Sequence, residues 1–295
     1  MKHCVFALCA LALAACAQVD PDEYVREYAL ANRSDGIFQH KATGALDTHV
    51  NGLRLNSLSK PVYEDFTEYG DGDMFCEQSD WTACSGTAGE INILTFPSGN
   101  KFAESAIVGQ DITAGVDMDA ASLDIAGDQT NNDGLEIYHG IHGTSGRPFI
   151  VGHDPAFYFC AKVAVADVSG TDDMHFGFRA AGLPNATFDN YVDLVSIGPI
   201  SGNVTIETIA ADAATVTTDT TLNLADTATD TYCTYVSAAG VVTYTVDGYP
   251  PPTTAALTLA DSLELIPFAH VLQAADLSGE IDLLEWKVGY GTSGF

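Results

Sequence analysis

The chain has 295 residues, with 40 Asp and Glu against 11 Lys and Arg and a formal net charge of −29. Such a surface repels phosphate backbones and anionic lipid headgroups, which excludes nucleic-acid binding driven by charge. Apolar residues make up 46% of the chain, enough to bury a core, which excludes general disorder.

Residues 1–16, MKHCVFALCALALAAC, form an apolar leader. Lys2 gives a positive start, and the run from Val5 to Ala15 is too short to span a bilayer as a helix. The ending Leu13-Ala14-Ala15-Cys16 resembles a bacterial lipoprotein signal. That resemblance implies lipidation of Cys16 and a place on the outer membrane or cell surface. The other reading is a retained apolar arm that packs against a neighbouring subunit of an assembly.

Residues 17–85 read as an N-terminal extension that docks on a neighbour. Val19 to Asn32 has helical spacing, with Pro21 and Asp22 near the start and Tyr24, Val25, Tyr28 and Ala29 on one side. Residues 33–60 read as extended linker, and 61–89 as turn signals holding two cysteines. The boundary is drawn near residue 85.

From residue 86 to 295 the texture is that of strands. Glu90–Phe96, Ser122–Ile125, Leu135–Tyr138, Phe149–Gly152, Phe157–Val165, Met174–Arg179, Tyr191–Ile197, Asn203–Ile209, Thr231–Ser237 and Gly240–Val246 are short apolar or alternating runs between Gly, Asp and Pro turns. Leu263–Leu272 and Ile281–Val288 close the series. Asp247-Gly248 is a hairpin signal. Many short strands at this spacing predict an all-β sandwich or jelly roll. The charge excess runs through this region, which has no Lys or Arg between Arg179 and Lys287.

The body holds Cys76, Cys84, Cys160 and Cys233, with no CxxC pair that would suggest a zinc ribbon. Cys76 and Cys84 flank a short acidic loop and would close it as a disulfide. Cys160 and Cys233 each sit in a strand-like run and would be sheet neighbours. Reduced thiols acting as small apolar fillers are the alternative.

The stretch Asp230 to Gly289 contains TYCTYVSAAG, VVTYTVDG, LIPFAHVL and GEIDLLEWKVGY, and resembles the back half of a concanavalin A-like or laminin G-like jelly roll. FYFCAKVAVADVSGTDDMHFGFRAA, residues 157–181, is similar in style to structural proteins of marine bacteriophages. The expected architecture is a concanavalin A-like β-sandwich preceded by an N-terminal arm.

Glu280-Ile281-Asp282-Leu283-Leu284-Glu285 resembles the signature of laminarinase-type glycoside hydrolases on this fold. The resemblance implies Glu280 and Glu285 as nucleophile and acid/base, which retaining chemistry needs about 5–5.5 Å apart. In a plain strand Glu285 points away from Glu280, so a β-bulge would be required. The continuation Trp286-Lys287-Val288 departs from that family, and a closing structural strand has the same pattern. Asp124, Asp128, Asn131 and Asp133 form an oxygen-rich stretch suited to Ca2+, against the alternative of an Asx-turn loop. His139, His142 and His153 would need to converge to hold a metal. Tyr244, Tyr249, Trp286 and Tyr290 would stack on sugars if they shared an open face.

No nucleophile-elbow or P-loop motif occurs. The leading expectation is a non-enzymatic virion structural protein, a capsid decoration or tail-associated protein on the virion surface, whose partners are other virion proteins or copies of itself. The alternative is a bacterial surface lipoprotein with a glycan-binding sandwich, and the third reading is a divergent β-glucanase. None of these needs a cofactor beyond a Ca2+ ion at the acidic loop.

Overall fold

The computed structural model describes residues 37–39, 46–50, 53–55, 62–69, 75–76, 91–106, 117–119, 122–124, 134–168, 171–185, 188–273 and 281–291. The leader with Cys16, residues 19–32 with their helical spacing in the sequence, Cys84, Asp128, Asn131, Asp133 and Glu280 lie outside them.

The described residues are all-β with two short 3-10 turns. The chain divides into two compact units, residues 1–60 and 61–295. In the first, β1 (Ile37–Gln39), β2 (Leu46–Val50) and β3 (Leu53–Leu55) form a three-stranded antiparallel meander.

The second unit is a sandwich of two antiparallel sheets. Its strands are β4 (Val62–Asp65), β5 (Phe75–Cys76), β6 (Asn92–Thr95), β7 (Lys101–Ala106), β8 (Asp117–Asp119), β9 (Ser122–Asp124), β10 (Gly134–Tyr138), β11 (Phe149–Ile150), β12 (Phe157–Val165) and β13 (Thr171–Ala180). They continue as β14 (Leu194–Ile200), β15 (Asn203–Ile209), β16 (Val216–Asn223), β17 (Ala228–Val236), β18 (Val242–Val246), β19 (Glu264–Gln273) and β20 (Ile281–Tyr290). The ten-stranded sheet runs β16-β15-β14-β13-β19-β10-β7-β6-β5, with β11 also paired to β19. The seven-stranded sheet runs β18-β17-β12-β20-β9-β8, with β4 also paired to β20. Non-consecutive neighbours such as β12 between β17 and β20 give the crossed connections of a jelly roll.

Alternation along each strand builds the core. Phe157, Phe159, Ala161, Val163 and Val165 of β12 point inward against Met174, Phe176 and Phe178 of β13 and Leu265, Ala269 and Val271 of β19. Trp286 is fully buried among Phe102, Phe159 and His139.

Of the span 61–85, the described residues 62–69 and 75–76 fall in the second unit. β4 pairs with β20 from Val62↔Val288 to Asp65↔Glu285, and Phe75-Cys76 pairs with β6. Val62 and Glu64 face inward while Tyr63 is exposed, a two-residue period too short to stand out among turn residues.

Candidate functional site

The two outer faces of the sandwich differ. On the ten-stranded sheet, the residues between the inward-facing ones are polar yet buried: Glu136 of β10, His175 and Arg179 of β13, Ser196 of β14 and His270 of β19. The outer face of a sheet is normally wet. Here the 3-10 turn Phe188–Asn190 and Tyr191 cover it, packing with Tyr138, Leu194, Ile209, Ile266 and Phe268 in a second apolar cluster.

Under this cover Arg179 Nε and Nη2 donate to Glu136 Oε1 at 2.8 and 2.6 Å. Its Nη1 donates to the carbonyls of Ala180 and Gly182 at 3.0 and 3.1 Å. The guanidinium lies 5.1 Å from the centre of the Tyr138 ring and 5.0 Å from that of Tyr191. Tyr191 OH donates to Glu136 Oε2 and accepts from the Asn185 N–H. Burial works to raise the Glu136 pKa, but the Arg179 charge beside it prevails and holds it below the ordinary carboxylate value. This network is closed and mutually satisfied, so it pins the cover to the sheet.

On the outer face of the seven-stranded sheet the tyrosines and charged residues are half-exposed or exposed, while Cys160, Cys233 and Gly289 are buried. Tyr235 of β17 and Tyr158 of β12 are cross-strand partners, both half-exposed, with ring centres 6.3 Å apart. On its other side Tyr158 pairs with Gly289, which brings no side chain, and on the far side of Tyr235 stands the exposed Thr243. One step along, Cys160 and Cys233 are register partners joined as a disulfide. The same row continues to Lys287 and then to Tyr63, which is 46% exposed. Lys287 Nζ sits 5.1 Å from the Tyr63 ring centre. The next row holds Lys162 and Glu285, 3.4 Å apart, then Asp65. Glu285 also pairs with Lys287, and Tyr63 OH donates to Asp65 at 3.1 Å.

Partial burial, then the neighbouring Tyr235, raises the Tyr158 pKa. Partial burial and the bond to Asp65 push Tyr63 up to about 12. Both phenols are therefore neutral donors at physiological pH. The face combines three aromatic rings on rigid strands with ammonium, carboxylate and hydroxyl groups around them. Rings of this kind stack on apolar faces of a ligand while the surrounding groups bond its hydroxyls.

The sequence candidates fall as follows. The register shift between Lys162 and Val163 in the β12–β20 pairing leaves Leu284 as a bulge, so Asp282 and Glu285 do share the outer face. Glu285 is tied there to two lysines, and Ser122 Oγ donates to Asp282 at 2.8 Å. Asp124 ends β9, half-buried, opposite Asp282. Cys76 is in β5. The three histidines do not converge. His139 is buried against Phe102 and Trp286, and burial pushes its pKa down to about 3. His142 is exposed beside Tyr138 OH, and exposed His153 meets Ser262. Among the described residues no group of three or more His, Cys, Asp or Glu is arranged to hold a metal ion.

The four aromatics named from sequence do not share a face. Tyr244 and Trp286 are core, Tyr249 is exposed on the turn after β18, and Tyr290 packs on Phe149 while its OH accepts from Arg147. The tyrosines that do share a face are Tyr63, Tyr158 and Tyr235. Their signal was alternation: Tyr158 stands between inward Phe157 and Phe159, and Tyr235 between inward Thr234 and Val236.

No protein-family model matches the chain, and no curated protein matches it in sequence. Among solved structures, it is similar to the carbohydrate recognition domain of Emp46p in its metal-free form, at 8% identity and a TM-score of 0.43, covering 65% of this chain and 89% of that one. It is also similar to the exoplasmic/lumenal domain of VIP36 with Ca2+ and Man3GlcNAc bound, at 9% identity and a TM-score of 0.44, covering 65% and 84%. An alginate lyase from Pseudomonas aeruginosa matches at 12% identity and a TM-score of 0.38, covering 65% and 83%. At these identities the likeness concerns the path of the chain.

Proposed function

We propose that the sandwich is a non-enzymatic carbohydrate-binding domain whose ligand lies along the outer face of the seven-stranded sheet. One observation carries the reading: Tyr158, Tyr235 and Tyr63 are exposed or half-exposed on one strand-built surface where core packing makes no use of their rings. A purely structural shell element has no need to keep such rings in water, so this face favours the glycan reading over virion display. The saccharide stacks on Tyr158 and Tyr235 and reaches Lys287 and Tyr63 in the next row. The two tyrosine positions lie two strands apart, roughly 10 Å across the sheet, which suits a chain of sugars rather than a single ring. The Cys160–Cys233 disulfide fits an oxidising compartment and, with the leader ending at Cys16, a lipid-anchored place on a bacterial surface.

The test is affinity electrophoresis and a glycan array with the purified full chain. Wild type is retained by at least one neutral polysaccharide. Tyr158→Ala and Tyr235→Ala each weaken that retention about tenfold or more, as loss of a central aromatic anchor does. Tyr249→Ala, exposed elsewhere, leaves it unchanged. Retention that survives the Tyr158→Ala/Tyr235→Ala double variant, or no retention by any glycan, overturns the reading. Intact mass of the native protein tests the anchor: loss of residues 1–15 with added acyl mass supports it, and an unmodified full-length mass overturns it.

A further inference from the structure

We propose that the turn Phe188–Asn190 with Tyr191 is an acid-released cover over the outer face of the ten-stranded sheet, and that His175 is the group that triggers its release. The reasoning starts from strand register. His175 of β13 and His270 of β19 are cross-strand partners, so two imidazoles stand side by side on one face. Both are buried, at 0% and 1% exposure. Phe188 rests on both: its ring stacks on His175 at 5.0 Å and meets His270 edge-on at 4.8 Å. His175 Nδ1 lies 3.3 Å from Ser196 Oγ, while His175 Nε2 and His270 Nδ1 have no hydrogen-bond partner.

The surroundings decide what a proton would do there. From β19 His175 faces His270, and from β14 it faces the neutral Ser196. Glu136 on β10 lies on the far side of His270, 3.9 Å from its Nδ1, and is already held by Arg179 and Tyr191. Arg179 adds a positive charge on the same strand and face. On the cover, Asp189 is exposed and Asp193 accepts from the Ala211 N–H at 2.9 Å. On β15, Glu207 accepts from Thr217 at 2.8 Å. None of these carboxylates is bonded to His175. A proton on its ring would therefore be a buried cation beside a second imidazole, with no counter-charge of its own. Water is the remaining source of stabilisation, and water reaches the ring only when Phe188 lifts. Burial, with His270 adding to it, already holds the covered ring neutral down to about pH 3.

The cover is a short 3-10 turn, not a strand paired on both sides. Within 188–191 the bond from Tyr191 OH to Glu136 and ring packing hold it to the sheet, and the chain beside it is fixed by Arg179 on the Gly182 carbonyl and by the Asp212 and Ala180 N–H groups on the Val192 and Asp193 carbonyls. A short turn held this way opens at lower cost than a central strand. A histidine neutral when covered and ordinary when exposed raises the opening constant about tenfold per pH unit below about 6.5, so about a hundredfold at pH 4.5.

Hydrogen exchange of the full chain, followed by mass spectrometry and corrected for intrinsic pH effects, tests this between pH 7.5 and 4.5. Peptides covering 183–193 are expected to lose protection about a hundredfold, with a slope near one decade per pH unit, while peptides from β12 and β17 keep theirs. His175→Phe, which keeps the stack on Phe188 but cannot take a proton, is expected to flatten the slope. A flat wild-type profile overturns the proposal without any variant. An equal slope in His175→Phe, or parallel loss of protection in β12 and β17, overturns it as well.

Discussion

Arg179 has an unusual burden for a residue with 0% exposure: it answers one carboxylate, two carbonyls and two aromatic rings. Arg179→Met leaves Glu136 buried without its counter-charge and is expected to cost about 3–5 kcal/mol in urea denaturation. The double variant Arg179→Met/Glu136→Leu is expected to recover much of that loss, because no charge is then left unpaired. Glu104 behaves in the opposite way. It is buried on β7, its carboxylate accepts from Asn92 Nδ2 at 2.8 Å, and burial pushes its pKa up to about 7. A carboxyl raised from 4.5 to about 7 on folding favours the native state below about pH 4.5 and loses that contribution as pH rises through 7. Glu104→Gln is expected to remove this dependence and raise stability at pH 8, by something on the order of 3 kcal/mol, read from denaturation midpoints at pH 5 and pH 8. At this scale the cysteine pairing was open in the sequence until register placed Cys160 opposite Cys233. Glu136 and Arg179 were illegible, because a charged residue alternating with Leu135 and Ile137, or with Phe176 and Phe178, reads as solvent-facing until something covers the face.

Among the elements, β12 and β17 form the frame of the candidate face. They pair along the whole of β12, from Phe157↔Val236 to Val165↔Ala228, and the disulfide joins them near the middle. The bridge closes a chain separation of 73 residues, so removing it with Cys160→Ala/Cys233→Ala is expected to cost about 4 kcal/mol by the loop-entropy argument. The same loss should appear as a lower melting temperature in reductant, and a melting curve indifferent to reductant would refute it. Long buried-type strands such as β12 were legible from their apolar runs. So was the turn at Asp247-Gly248, where both residues have positive φ, 51° and 79°, as a type I′ hairpin requires. β4 was not legible, since four residues with a two-residue period cannot be told from a turn. Nor was the phase of β20, because the bulge at Leu284 depends on register against Lys162 and Val163.

For the whole molecule, charge sets the behaviour. At −29 the chain repels itself, and salt within the Debye regime relieves that repulsion. The melting temperature is expected to rise by several degrees between roughly 10 and 300 mM NaCl, and mobility-shift assays at about 50 mM salt should show no DNA complex. A salt-independent melting curve would mean the charges are already neutralised locally. The fold class was legible in the sequence because spacing, turn residues and alternation agreed. The candidate face was not, because it is assembled from β4, β12, β17 and β20, strands far apart in the chain whose shared side appears only once the sheet is ordered.

That order also has a mechanical meaning. A tether at the start of the sandwich unit would enter the seven-stranded sheet through β4, while a ligand bound as proposed at Tyr158 and Tyr235 would pull on β12 and β17. Tension between the two crosses the seams β4–β20 and β20–β12 in series. The first joins four residues, Val62 to Asp65, and the second runs the length of β12. The disulfide lies beyond both. Under load the short seam parts first and takes Tyr63 out of the face, while Tyr158 and Tyr235 stay together on the disulfide-joined β12 and β17.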